Sequence, residues 1–399
     1  MTFVADLGAA VPLVVGAFLA AAVLALLLTP PVRALASRLD LVDVPEARRV
    51  NTRPVPRGGG VAVVIAFVLV AAIALAWTGA TRTLAFPFSL DGPAIIALLA
   101  GGIAAAMIGA IDDYLQLRAR WQLLGQLALA VWAVGLGATV DVLTNPLSDR
   151  TIVLPDLVSA GFTVFWIVGM MNAINFIDGL DGLSSGIGLI AAVTLGLVSL
   201  TTAVSQPVIA VLCFALAGAL LGFLRWNFHP AAIFAGTSGT MFLGYTLALL
   251  SIVGTAKVPV ALLVLGVPII DTFWIIVRRL AAGRMPFSPD RGHIHHRLLD
   301  LGLSHRQVVL VIYGMCGVLA AVALFLPGRT QVYAFLGLAL ATGLVFLLLT
   351  RRAISPGGLE AASYEADPTA ARTDPLRTEA DQPDRPATGV EALERPSSR

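Results

Sequence analysis

The chain has 399 residues, 58% of them hydrophobic and 13% charged, with a formal net charge of +2. Soluble domains carry about a quarter charged residues, so this composition excludes an ordinary soluble protein. The two cysteines, Cys213 and Cys316, both sit inside apolar runs and read as small core residues rather than a disulfide or metal framework.

Apolar stretches of about 20 residues recur along the chain, the length that carries a helix across a ~30 Å hydrocarbon core. They are apolar on all sides, unlike the alternating strands of a membrane barrel. The sequence therefore reads as an all-α polytopic membrane protein with about eleven transmembrane helices. In chain order these fall at 11–28, 59–77, 93–111, 122–140, 157–174, 185–201, 206–224, 238–254, 258–277, 307–326 and 331–350. The first lacks the basic leader of a cleavable signal peptide and reads as a retained span. Asp141–Pro155 is too polar to cross, and Pro146, Asp149 and Thr151–Leu154 predict a turn or hairpin outside the membrane. From Arg351 the chain turns polar, with Tyr364 as its single aromatic. The expected organisation is a membrane domain over 1–350 and a disordered cytoplasmic tail over 351–399. The loops at 30–58, 112–121, 172–184, 225–237 and 278–306 hold 15 Lys and Arg, against 4 in the opposite set. The positive-inside rule places the first set in the cytoplasm, with the N-terminus outside and the C-terminus cytoplasmic.

Polar chemistry gathers in that first set. "RRVNTRPVPRGGG" supplies Arg48, Arg49, Arg53 and Arg57 before Gly58–Gly60. These charges set topology, and the glycines would let backbone approach a ligand. "GAIDDYLQLR" places Asp112 and Asp113 at the end of a span, either as helix-end charges facing water or as a general base or hard-metal site. In "NAINFIDGLDGL", Asn172, Asn175, Asp178 and Asp181 recur at every third residue. Helical geometry makes them a drifting polar face, more than a capped helix break requires. "RWNFHPAAIFAGTSGT" carries Asn227 and Pro230 in a turn, then Thr237 and Ser238 at a helix start. Those two are N-caps on the plain reading, and the start has amides suited to phosphate. "SPDRGHIHHRLL" groups His293, His295 and His296 with Arg291 and Arg297, a donor set that favours pyrophosphate over zinc. Asp271 lies inside the ninth span. It bonds a neighbouring helix, or it marks ion-coupled transport, which keeps ionisable groups near the midplane.

These loops, in this order, resemble the polyprenyl-phosphate N-acetylhexosamine-1-phosphate transferases of glycosyltransferase family 4. The resemblance spans roughly residues 10–350 and rests on Asp112-Asp113, the segment Asn175–Gly182, Asn227 with Pro230-Ala231, and His293–Arg297. The His-Ile-His-His form looks like the branch that starts O-antigen, teichoic-acid and arabinogalactan synthesis, and less like the muramyl-pentapeptide enzyme. The resemblance implies transfer of a sugar 1-phosphate from a UDP-N-acetylhexosamine to polyprenyl phosphate, with release of UMP. It implies Mg2+, with Mn2+ as an alternative. The implied setting is the inner or plasma membrane, with no nucleic-acid partner and a homodimer left open. By this resemblance Asp112 or Asp113 activates or orients the lipid phosphate. Asp178 and Asp181 support the metal. Asn172, Asn175, Asp181 and Asn227 hold the nucleotide, and Arg57, His293, His295, His296 and Arg297 hold the phosphates. Where the family writes a metal-binding Asp before the eighth span, this chain has Thr237, a far weaker ligand. Three expectations follow: an active transferase, a slow or differently specific one, or a non-catalytic binder of the lipid or nucleotide sugar.

Overall fold

The computed structural model describes residues 7–44, 53–84, 90–145, 151–201, 204–253, 257–281, 283, 293–326 and 328–353. Its elements in chain order are α1 (Leu7–Arg38), β1 (Val42–Asp43), β2 (Val55–Pro56), α2 (Gly60–Thr81), α3 (Gly92–Leu115), α4 (Ala119–Gly135), β3 (Val142–Thr144), β4 (Thr151–Val153), α5 (Asp156–Ile177), α6 (Leu183–Ser199), α7 (Pro207–Asn227), α8 (Gly236–Ile252), α9 (Val258–Val264), α10 (Gly266–Ala281), α11 (Ile294–Asp300), α12 (His305–Phe325) and α13 (Gly328–Ala353). The chain divides into two units after Gly343, and the site described below lies wholly in the first.

The protein is an all-α polytopic membrane protein. Among the described residues six helices are long and apolar enough to cross a bilayer, or seven if α9 and α10 form one span bent by 77°. Helices occupy all eleven stretches expected from sequence. However, α4, α6 and α8 have 17 residues each. At ~1.5 Å per residue they reach only about 25 Å. The polar stretch after α4 forms the expected hairpin, with β3 and β4 antiparallel and Leu143 opposite Ile152. α13 ends at Ala353, and the rest of the expected tail, residues 354–399, lies outside the described residues.

α7 and α8 are buried along most of their length. Small residues allow this: a Cβ on Gly218 would run into the Phe18 carbonyl of α1, so the two backbones touch. Polar side chains inside the bundle find partners across helices. Trp166 Nε1 donates to Ser251 Oγ (3.0 Å), and Tyr245 Oη donates to the Ala97 carbonyl (2.8 Å). α10 has two faces: Phe273, Val277 and Leu280 are exposed, while Asp271, Thr272 and Arg279 are buried. The sharp bend after α9 turns that polar face inward.

The up-and-down order brings the C-terminal ends of α3, α5 and α7 together with the N-terminal ends of α8 and α12. A two-residue ladder, β1 with β2, pairs Asp43 with Val55, and Asp43 and Arg57 lie beside them. The glycines after Arg57 serve this packing. Gly59 and Gly60 donate to the carbonyls of Phe234 (2.8 Å) and Ala235 (2.9 Å), and a Cβ on Gly59 would lie 2.9 Å from the Phe234 oxygen. They meet backbone there.

Candidate active site

The meeting helix ends enclose an open cavity of about 350 Å³. Asp43 of β1, Asp113 of α3, and Asp178 and Asp181 of the α5–α6 connection face it, along with Arg57, His296 and His305. The acidic pair of α3 separates. Asp113 lines the cavity, whereas Asp112 does not and accepts from the Leu117 amide (2.9 Å) and Gln122 Nε2 (2.6 Å). Asp112 thus fastens the end of α3 to α4.

Asp113 does two things at once. Its carboxylate accepts from the Thr237 amide (2.9 Å) and the Ser238 amide (3.0 Å), capping α8 from another helix. The amides that sequence had offered to a phosphate are therefore taken by a carboxylate, and neither Thr237 nor Ser238 caps α8 with its own side chain. Gly236, at φ +73°, makes the approach: a Cβ there would lie 2.6 Å from Asp113 Oδ2. Arg57 donates to the Asp113 carbonyl oxygen, and its buried Nε has no hydrogen-bond partner among the described residues.

The polar row of α5 also divides. Asn172 donates to Gln126 Oε1 (2.7 Å) and the Val168 carbonyl (2.8 Å) and stays outside the cavity. Asn175 lines it, with its Oδ1 accepting from Thr240 Oγ1 (2.7 Å). Asp178 follows at the helix end. Burial pushes its carboxyl up to about 7, helped by the charges of Asp113 and Asp181, against a lowering hydrogen bond from Ser184. Asp181 is clamped: Oδ2 lies 2.7 Å from His229 Nδ1 and accepts from the Ala231 amide (3.0 Å), while the Asp181 amide donates to His305 Nε2 (2.9 Å). Asn227 lines the cavity while its amide bridges Ser185 Oγ (2.8 Å) and the Ile233 carbonyl (3.0 Å).

The histidine motif resolves into three roles. His296 lines the cavity. His295 is buried under Gly179, where a Cβ would collide with its ring. Burial first, then the neighbouring histidines, drive its pKa down to about 2, so it stays neutral. His293 lies 2.7 Å from Asp271 Oδ2, away from the cavity. Arg297 also lies outside the cavity lining. Of the donor cluster expected from sequence, His296 alone among the described residues lines the cavity, and Arg291 lies outside the described residues.

Asp43, His229 and His305 were not singled out from sequence. Asp43 is carried in by the β1–β2 ladder, which leaves no periodic signal. His229 and His305 stand alone in their stretches and meet only in three dimensions. Asp181, His229 and His305 have potential ligand atoms within 4.8 Å of one another. However, the two rings stack at 4.1 Å with planes 20° apart. In-plane lone pairs on near-parallel rings do not converge on one ion, and both facing nitrogens already bond Asp181. The trio is a clamp that orients Asp181.

Residues 95–255 match the model of glycosyl transferase family 4. The chain is 36% identical to the probable undecaprenyl-phosphate N-acetylglucosaminyl 1-phosphate transferase of Bacillus subtilis, over 79% of this chain and 86% of that protein. The chain belongs to glycosyl transferase family 4. It is also 40% identical to the decaprenyl-phosphate N-acetylglucosaminephosphotransferase of Mycobacterium tuberculosis, over 86% of this chain and 92% of the relative. Similarity to the phospho-N-acetylmuramoyl-pentapeptide-transferase of Bacillus cytotoxicus is lower, at 31% over 62% of this chain. The family 4 match covers Asp113, Asn175, Asp178, Asp181, Asn227 and Thr237, and so includes the α3, α5, α7 and α8 walls of the cavity. Asp43, Arg57, His296 and His305 come from outside the matched segment and also line the cavity.

Proposed function

We propose that this chain transfers an N-acetylhexosamine 1-phosphate, GlcNAc 1-phosphate by default, from its UDP conjugate to undecaprenyl or another polyprenyl phosphate. The reaction runs at the cytoplasmic face of the inner or plasma membrane and releases UMP. The chain crosses that membrane eleven times with its N-terminus outside. The names of the Bacillus subtilis and Mycobacterium tuberculosis relatives support the substrate classes.

One observation carries the reading: four acidic side chains and only a few cationic or imidazole groups face one small cavity. A diphosphate cannot enter such a site against those charges without a cation. The donor set fits a hard ion. Asp113, Asp178 and Asp181 offer oxygens, and a bound cation would favour the charged form of Asp178, which burial first and then the neighbouring acids disfavour. These three would hold Mg2+ or Mn2+, with Thr237 as a weak fourth donor. When bound, the ion neutralises phosphate charge as it moves from the β-phosphorus to the leaving UMP.

The residues do the rest by position. Arg57, with its Nε unpartnered among the described residues, donates to a phosphate oxygen, and His296 of α11 adds a second donor. An oxygen of the lipid phosphate attacks the β-phosphorus. The bond from that phosphorus to the bridging oxygen breaks, and its electron pair leaves on UMP. Asp113, held by two amides of α8, faces that reaction from a fixed position. Asn175 and Asn227 fix the cavity wall where the nucleotide sits.

Thr237 favours a second reading, a site weakened in metal affinity. UMP release from UDP-GlcNAc and undecaprenyl phosphate, measured with purified protein across a Mg2+ titration, decides between them. Lipid-dependent release saturating at ordinary Mg2+ supports the active transferase. Release that needs far higher Mg2+, and is restored by Thr237→Asp, supports the weakened site. No release from a preparation that binds the lipid overturns the transferase reading for this sugar.

A further inference from the structure

Asp271 is the acid that the proposed chemistry leaves unused. It sits in α10 at 3% exposure, away from the cavity. A carboxylate buried that deeply is costly unless donors meet it. Here both oxygens are met by one short stretch. His293 Nδ1 lies 2.7 Å from Oδ2, and the Ile294 amide donates to Oδ1 at 2.9 Å. These are the cap and first residue of α11. The His293 ring is also braced edge-on by Phe176, centroids 6.2 Å apart, in the turn between Asn175 and Asp178.

α11 then makes two contacts toward the cavity. His295 lies against Gly179, inside the Asp178–Asp181 loop, and His296 reaches the cavity wall. The imidazoles form a row: His293 stacks on His295 at 5.4 Å, and His295 meets His296 at 4.4 Å. Whatever fixes the start of α11 therefore fixes His296 relative to the acids across from it. Asp271 lies in α10 beyond a 77° bend from α9.

We propose that Asp271 is a positioning residue for the nucleotide-sugar site, acting through His293 and α11 to place His296. This rests on the donor reading given above. The role is not proton transport, because both carboxylate oxygens are committed to α11.

The test uses the full chain in detergent with Mg2+, measuring UDP-GlcNAc binding by calorimetry and both KM values from UMP release. Asp271→Asn keeps the acceptor for Ile294 but offers an N–H where His293 Nδ1 needs an acceptor. It should weaken UDP-GlcNAc binding and raise its KM about tenfold, the loss of one charge-assisted hydrogen bond. The KM for undecaprenyl phosphate should stay within about twofold, since His296 is assigned to the donor's phosphates and not to the lipid. In a His296→Ala background, Asp271→Asn should add less than about twofold, because it acts through the group already removed. His293→Asn, whose amide can still donate to Asp271, should retain binding, while His293→Ala should lose it. If Asp271→Asn does not fold, this histidine pair decides alone. Equal binding by wild type and Asp271→Asn, losses that multiply in the double variant, or equal losses in both histidine variants would overturn the role. Wild-type protein that binds no UDP-GlcNAc would overturn the donor reading instead.

Discussion

Adjacent acids can have unrelated duties, and Asp112 and Asp113 show why. One helical step turns a side chain by about 100°. Asp113 therefore reaches the cavity and α8, while Asp112 reaches the α3–α4 turn. Asp113→Asn should cut UMP release by at least about a hundredfold, in the range of a lost electrostatic group at a reacting centre. Asp112→Asn keeps one acceptor for Leu117 or Gln122 and should cost less than about tenfold in the same assay, with a lower melting temperature. Asp178 makes a separate claim about pH. Its folded pKa of about 7 lies above the ordinary aspartate value of 3.8. Between those values the folded state keeps a proton that the unfolded chain has lost. Stability without Mg2+ should therefore fall as pH rises from about 4 to about 7 and level off above. Asp178→Asn should flatten that slope and raise the melting temperature at pH 8, while UMP release is lost. A variant no more stable than wild type at pH 8 would show that the carboxylate is not strained there.

At the scale of elements, α11 and the Asp178–Asp181 loop fit each other through an absent side chain. Gly179→Ala would drive a methyl into the His295 ring. Either the loop or α11 must shift, so UDP-GlcNAc affinity should fall about tenfold, with undecaprenyl phosphate affinity little changed. Calorimetry with each substrate checks this. The long helices were legible in sequence because a bilayer demands about 20 apolar residues and tolerates little else. The β3–β4 hairpin was legible because it breaks that rule. The cap on α8 was not, since its acceptor lies 124 residues away in sequence at Asp113. The β1–β2 ladder, two residues per strand, was equally silent. The site was legible as a set of loops but not as a set of contacts. Asn172, Asn175, Asp178 and Asp181 read as one polar row, yet Asn172 turns to Gln126 on α4 and only the other three reach the cavity. His229 and His305 went unread because neither sits in a pattern; each acquires its meaning only against Asp181.

At the scale of the whole molecule, the cavity and the charge bias have to agree on a side. Every cavity wall is a helix end or loop from the Arg-rich set, including Arg57, Asp113, Asn227 and His296. The β3–β4 hairpin lies at the other ends of α4 and α5. A cytoplasmic donor such as a UDP-sugar requires the first set to face the cytoplasm, and the hairpin then faces outward. Single cysteines test this, because the native Cys213 and Cys316 are fully buried and should not react. A cysteine replacing exposed Ile152 in β4 should be labelled in intact cells by a membrane-impermeant maleimide. A cysteine replacing exposed Leu301, just after α11, should be labelled only after the membrane is opened. Both positions lie outside the cavity, so neither label should alter UMP release by more than about twofold. The reverse labelling pattern would put the cavity on the side without UDP-sugar. The transferase reading would then fail on topology alone, however well its residues are placed.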